Sequence, residues 1–166
     1  MSIETPTPAR PEEAPLVVAM LAAQLEEHAI PLAPELLAAQ LEEHSIPLAP
    51  ELLVEAVHGA LEDDGRALVL VSRVDDRPVG LAFLSFQWTL ERGGRVLWLE
   101  ELYVLPELRG RGIGGELLRA TLNVARARAC RAVELEIEAS HARAANLYAR
   151  AGFRPLDRVH WTLSMD

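Results

Sequence analysis

The sequence predicts a mixed α/β (α+β) domain with a sheet of six or seven strands and helices on both faces. Three observations lead there. The first third carries helical patterning with Pro-rich breaks. The middle reads as short β-rich runs joined by tight turns, which is an antiparallel meander. A glycine-rich loop, an amphipathic helix and a further alternating run then follow, which is one β-α-β unit with parallel strands. At 166 residues and 50% hydrophobic content, the chain fits one domain, 1–166, with a sizeable core.

Residues 1–13 are rich in Pro and Thr and read as a short edge strand near 2–7 or a loose arm. Next, L-A-A-Q-L-E-E-H-A-I-P-L-A-P-E-L (21–36) is followed at once by the same sixteen residues with Ser45 in place of Ala29 (37–52). Two copies are too few for a solenoid. Each reads as a helix ended by I-P-L-A-P, with Pro34 and Pro50 suited to the first turn of the next helix. Helices are therefore expected near 11–29, 34–45 and 50–62, with one unit duplicated. Strands are expected at 67–74, 79–90 and 96–104, turned by D-D-R-P and E-R-G-G-R. The spacing of Ile113, Leu117, Leu118, Leu122 and Ala125 predicts a helix over 112–129. Residues 132–139 alternate as a strand, 141–151 form a helix closed by Gly152, and 158–164 form a last strand. Trp88, Trp98 and Trp161 are expected mostly in the core or a cleft wall.

Composition narrows the function. The formal net charge of −9 argues against a nucleic-acid partner and leaves cationic small molecules open. All sixteen basic residues are arginine, so a Schiff-base or P-loop lysine is excluded. Cys130 stands alone, which suits a reducing, cytoplasmic setting, and it reads as a small packed residue. Neither a signal pattern nor an apolar run of membrane-spanning length is evident, so no membrane association is expected. His28 and His44 are copies on a duplicated helix face and read as solvated rather than as metal ligands; no metal is expected.

The stretch L-R-G-R-G-I-G-G (108–115) spells G-x-G-x-x-G through Gly110, Gly112 and Gly115. Glu134, Glu136 and Glu138 follow about twenty positions later, as in a dinucleotide site. Three features oppose that reading. Five residues separate the preceding strand from Gly110, the strands before the loop read as antiparallel, and too little chain follows for a doubly wound sheet. The three acids also fit the polar face of a strand. What remains is an anion site: loop amides and a helix dipole, with Arg109 and Arg111 adding charge.

Arg109-Gly110-Arg111-Gly112-Ile113-Gly114 fits the [RQ]-x-x-G-x-[GA] motif of the GCN5-related N-acetyltransferases (GNAT). L-E-E-L-Y-V-L-P (99–106) resembles that family's fourth strand, and A-A-N-L-Y-A-R-A-G-F (144–153) its last helix. The resemblance spans about residues 78–155, and L-E-E-L-Y-V with N-L-Y is most similar to the diamine (spermidine/spermine-type) subgroup. It implies the GNAT fold, with two splayed parallel strands, and transfer of an acetyl group from acetyl-CoA to a primary amine by direct attack in a ternary complex. It implies that the diphosphate lies on Gly110, Arg111, Gly112, Ile113, Gly114 and Gly115 beside Arg109. The pantetheine arm would follow Leu102, Tyr103 and Val104, with further cofactor contacts from His141 and Ala144. His141 stands where the family often has Asn. Tyr148 takes the general-acid position, and Glu100 is the candidate base. Glu100, Glu101 and Glu136 would favour a cationic acceptor, a small-molecule amine. Because strand residues alternate faces, only one of Glu100 and Glu101 can face the cleft unless a bulge intervenes. A homodimer is expected from the family alone. Two alternatives stay open at this point: a non-catalytic acyl-CoA-binding module or sensor, and a small NAD(P)-binding oxidoreductase.

Overall fold

The computed structural model describes residues 3–28, 50–137, 142–161 and 163. The predicted helix at 34–45, most of the duplicated segment, Glu138 and His141 lie outside the described residues. The chain divides into two units, through Leu135 and from Glu136 onward, each treated by itself below.

In the first unit, β1 (Thr7–Pro8) leads through a 3-10 turn at Pro11–Glu13 into helix α1 (Ala14–His28). The described chain resumes at α2 (Pro50–Glu62), whose Pro sits at its first position, where a missing N–H is harmless. Strands β2 (Ala67–Val74), β3 (Arg77–Thr89) and β4 (Gly94–Val104) follow, then α3 (Ile113–Ala127) and β5 (Ala132–Glu134). The sheet order is β1-β2-β3-β4-β5: every pair is antiparallel except β4/β5, which is parallel as the β-α-β reading requires. Asp75 and Asp76, at φ 51° and 61°, make the two-residue β2–β3 turn.

One face of the sheet is covered by α1 and α2. Val17, Met20, Leu21, Val57 and Ala60 pack there on Val69, Val71, Leu81 and Tyr103. The other face carries α3 through Ile113, Leu117 and Leu118, all buried. Contact on that face is close at Gly80. A Cβ there would stand 2.8 Å from the Tyr103 carbonyl oxygen and 3.2 Å from Leu117 Cδ1. Backbone cannot swing aside as a side chain can, so Gly80→Ala is expected to cost about 1–3 kcal/mol. A lowered urea midpoint with an unchanged slope would record it.

The Arg73 guanidinium is 3% exposed and ties the sheet edge to the N-terminal segment. Its Nε donates to Glu13 Oε1 at 2.9 Å and its Nη1 to Thr7 Oγ1 at 2.7 Å, while Nη2 pairs with both Glu13 oxygens. Burial pushes the Glu13 carboxyl up, but the Arg73 hydrogen bonds and charge and the Arg10 backbone N–H outweigh it and hold the acid below its ordinary value.

Four expectations need correction. The sheet has five strands among the described residues, not six or seven. Of the run expected at 132–139, the described residues 132–137 form a strand over Ala132–Glu134, where β4 pairs with them from Val96 to Trp98. Residues 158–161, expected as a last strand, are irregular, with Val159 and Trp161 exposed. Alternation supplies a surface suited to a sheet, but a strand exists only where a neighbouring edge accepts its hydrogen bonds. Trp88 is likewise exposed rather than in the core, at the solvated end of the β3–β4 hairpin; Trp98 is half-buried.

The second unit holds α4 (Ala142–Arg150). Gly152, at φ 95°, closes it: its N–H donates to the Ala149 carbonyl, and the Phe153 N–H reaches the Tyr148 carbonyl at 3.0 Å.

Candidate active site

Two features of β4 set the site. The first is an irregular register. Phe83 pairs with Glu101 and Leu84 with Leu99, so Glu100 is an extra residue without a partner of its own. The bulge cancels the alternation that would have sent the two acids to opposite faces. Ser85 shares its face of β3 with Phe83 and Leu81, the α1 side. The Ser85 hydroxyl donates to Glu100 Oε1 at 2.5 Å, which places that carboxylate on the same side. Glu101 meets α1, where the Gln24 amide donates to its Oε2. Both carboxylates therefore share one face, Glu100 exposed and Glu101 half-buried.

That difference in burial separates their chemistry. Burial raises the Glu101 carboxyl from 4.5 to about 7; the Gln24 hydrogen bond opposes the rise, and the neighbouring charge of Glu100 adds to it. A carboxyl that titrates near neutrality can take a proton from an amine and release it again.

The second feature is the open flank of β4. β5 pairs only with Val96–Trp98, so from Leu99 to Val104 no described strand is joined to that edge. Leu102, Tyr103 and Val104, predicted to hold an extended cofactor arm, lie on this stretch. Leu102 and Val104 are half-buried; the Tyr103 ring is buried in the core beneath α1.

Beyond β4 the chain makes a 3-10 turn at Pro106–Leu108 and enters the glycine loop. Gly110 and Gly112 have φ of 80° and 91°, a left-handed conformation that other residues adopt at a cost. Gly112 is the N-cap of α3, and no side chain caps the helix there, a kind of helix start at which backbone amides can bind an anion. A Cβ at Gly112 or Gly115 would meet nothing within 4 Å, so the space over the loop is open. Arg109 knits loop to strand: its Nε donates to the Val104 carbonyl at 2.8 Å, and its guanidinium lies 5.5 Å from the centre of the Tyr103 ring. Arg111 is exposed beside it, Gly114 is half-buried, and Ile113 is buried against the sheet as the anchor of the helix start.

The oxidoreductase alternative finds no support. Three of the four strand pairings are antiparallel, unlike a doubly wound sheet. Glu134, the first of the three acids about twenty positions after the loop, is held by Arg92, whose Nε donates to its Oε1 at 2.8 Å. Arg92 lies in the β3–β4 turn, at the opposite end of β4 from the glycine loop.

In the second unit, Tyr148 is buried at 8% exposure, with its ring edge-on to Phe153 at 5.7 Å. The A-G-F cap that ends α4 returns Phe153 onto the tyrosine and fixes the ring. Ala144 is half-buried on the same helix; Glu136 is exposed, with its Oε1 2.7 Å from His160 Nδ1. Among the described residues no three His, Cys, Asp or Glu side chains converge on a common point.

Sequence reasoning missed Gln24 and Ser85. Gln24 had a legible signal: it continues the apolar stripe of Val17, Met20 and Leu21 at helical spacing, a polar residue where the core expects an apolar one.

The sequence matches the Acetyltransferase (GNAT) family over residues 21–153, and the chain belongs to that family. An uncharacterized N-acetyltransferase of Methanocaldococcus jannaschii is 32% identical over 105 residues, covering 63% of this chain and 45% of that protein. Thialysine N-epsilon-acetyltransferase of Sus scrofa is 35% identical over 74 residues, 45% of this chain and 41% of that protein. The chain thus spans less than half the length of these two relatives. Among solved structures, the aminoglycoside N-acetyltransferase AAC(6')-Iy aligns over 100% of both chains with a TM-score of 0.73 at 15% identity, a likeness of fold.

Proposed function

We propose that this chain transfers an acetyl group from acetyl-CoA to a primary amine of a small, cationic acceptor by direct attack within a ternary complex. The observation that carries the reading is the half-buried Glu101 carboxyl, titrating near neutrality on a bulged strand that ends beside a glycine loop at a helix start. Family membership and the amine-acetylating names of its relatives support it.

The residues present fit acetyl-CoA. The glycine loop, left-handed at Gly110 and Gly112 and open over Gly112 and Gly115 at the helix start, suits close approach of a diphosphate, with Arg109 and Arg111 as cations. No described strand joins the β4 flank along Leu102–Val104, so an extended amide-containing arm can lie there as a neighbouring strand would. When bound, acetyl-CoA supplies an activated thioester; the protein supplies position and proton transfer.

An alkyl amine arrives protonated, since its pKa is about 10.4 by analogy with lysine. Glu101 takes that proton, directly or through water. Glu100, anchored by Ser85, adds negative charge that draws the cation to this face. We thus assign the base role to Glu101 in place of Glu100, on the ground of burial. A backbone N–H near Leu102 faces the developing oxyanion. Tyr148 returns a proton to the departing thiolate. The amine nitrogen gains the acetyl carbon and loses its second proton as the amide forms. The carbon–sulfur bond breaks, and the thiol leaves with the Tyr148 proton, which the nitrogen's second proton replaces.

A thermal-shift comparison of acetyl-CoA with NAD(P)H tests the cofactor. A ligand at a hundred times its Kd stabilises the fold by about 2.7 kcal/mol. A shift with acetyl-CoA alone is expected; one with NAD(P)H alone would contradict the reading. For the acid role, Tyr148→Phe is expected to lower kcat by about 10²-fold with acetyl-CoA affinity unchanged. Unchanged turnover would remove Tyr148 from the mechanism.

A further inference from the structure

Gln24 is 6% exposed, and its amide reaches from α1 to the acid on β4. Its Nε2 donates to Glu101 Oε2, while its Oε1 is buried and has no partner among the described residues. A carboxylate only accepts hydrogen bonds, so the amide nitrogen must face it whenever Glu101 is charged. A glutamine serving only to complete the core would gain by satisfying both ends, or by being leucine. Here one polar end is left without a bond so that the other can meet Glu101, and that meeting is the side chain's one described hydrogen bond.

We propose that Gln24 is the positioning residue for Glu101: its buried amide fixes the carboxylate's rotamer on the bulge and favours the charged form that accepts a proton from the amine. The inference rests on Glu101 being the base. The groups that act on this carboxyl fit the assignment. From β4 itself comes Glu100, whose charge disfavours ionisation, and from α1 comes Gln24, whose N–H favours it. Phe83, opposite on β3, is apolar and adds to the burial. Among the described residues no cation pairs with Glu101, so Gln24 is the one side chain that offsets its desolvation.

The experiment is the pH dependence of kcat/KM for the wild type and Gln24→Met, which keeps length and apolar bulk but removes the donor. The acid limb is expected to move upward by roughly one pH unit, the scale of one hydrogen bond to a charged group. A structural defect alone would lower activity at all pH values without moving the limb. The same carboxyl is followed without turnover by its side-chain ¹³C shift, assigned with Glu101→Gln. A matching upward displacement of that midpoint in Gln24→Met supports the proposal. An unmoved or lowered midpoint in a folded Gln24→Met protein overturns it, even if Glu101 remains the base. If instead Glu101→Gln keeps wild-type turnover, the base assignment itself fails, and that result is separable from the Gln24 midpoint.

Discussion

Replacing Glu101 with glutamine is expected to lower kcat/KM by about 10²–10⁴-fold, the usual contribution of a positioned general base. The wild-type rate should rise with pH through about 7, where the carboxyl loses its proton, and the variant should lose that limb. Stability should move the other way. The folded protein keeps a proton on Glu101 up to about 7, whereas the unfolded chain releases it near 4.5. The contribution of the protonated acid is fully present below the lower value and is lost as pH rises through the upper one. Glutamine stays neutral, so Glu101→Gln should melt above the wild type at pH 8 and converge with it below the unfolded pKa. A strained or desolvated functional group that lowers stability is a familiar trade-off. Melting curves at three pH values, beside a pH–rate profile, check both halves.

Replacing Glu13 with alanine is expected to be strongly destabilising. It leaves the Arg73 guanidinium, 3% exposed, without its carboxylate partner. Breaking a buried pair in this way costs about 3–5 kcal/mol. For a domain of this size that lowers Tm by roughly 10 °C. The double change Glu13→Leu with Arg73→Met should recover much of the loss, because it leaves no orphaned charge. The pH dependence of the wild type supplies an independent sign. Glu13 sits below its ordinary pKa in the folded state, so the stability it contributes is present above the unfolded pKa and is lost as pH falls through the folded one. The Glu13→Ala protein should lack that acid-side decline. A variant that melts within a degree or two of the wild type at neutral pH would mean that the buried pair contributes little.

The sequence made the frame of the fold legible where pattern and length agree. The meander through Val74, Thr89 and Val104 and the amphipathic helix from Ile113 were readable because their apolar residues recur at the right period and their turns carry Asp or Gly. The parallel β4/β5 pair was readable because a helix must carry the chain back between them. The glycine loop was readable because left-handed residues and a helix start leave a compositional mark at Gly110 and Gly112. Harder to read was everything decided by a partner. Glu100 and Glu101 share a face only because β3 pairs across them out of step, and one strand's sequence does not encode its neighbour's register. Leu135, Ile137, Val159 and Trp161 alternate as strands do, yet none lies in a paired strand among the described residues. Gln24 acquires its meaning from an acid 77 residues away.

Release of the CoA thiol from acetyl-CoA, measured with and without an added amine, tests the central claim most directly. With spermidine or a simple diamine, thiol should appear in step with the N-acetylated amine, and only when the amine is present. If acetyl-CoA stabilises the protein but no cationic amine provokes thiol release, the chain is an acyl-CoA-binding module, and the roles given to Glu101 and Tyr148 are wrong.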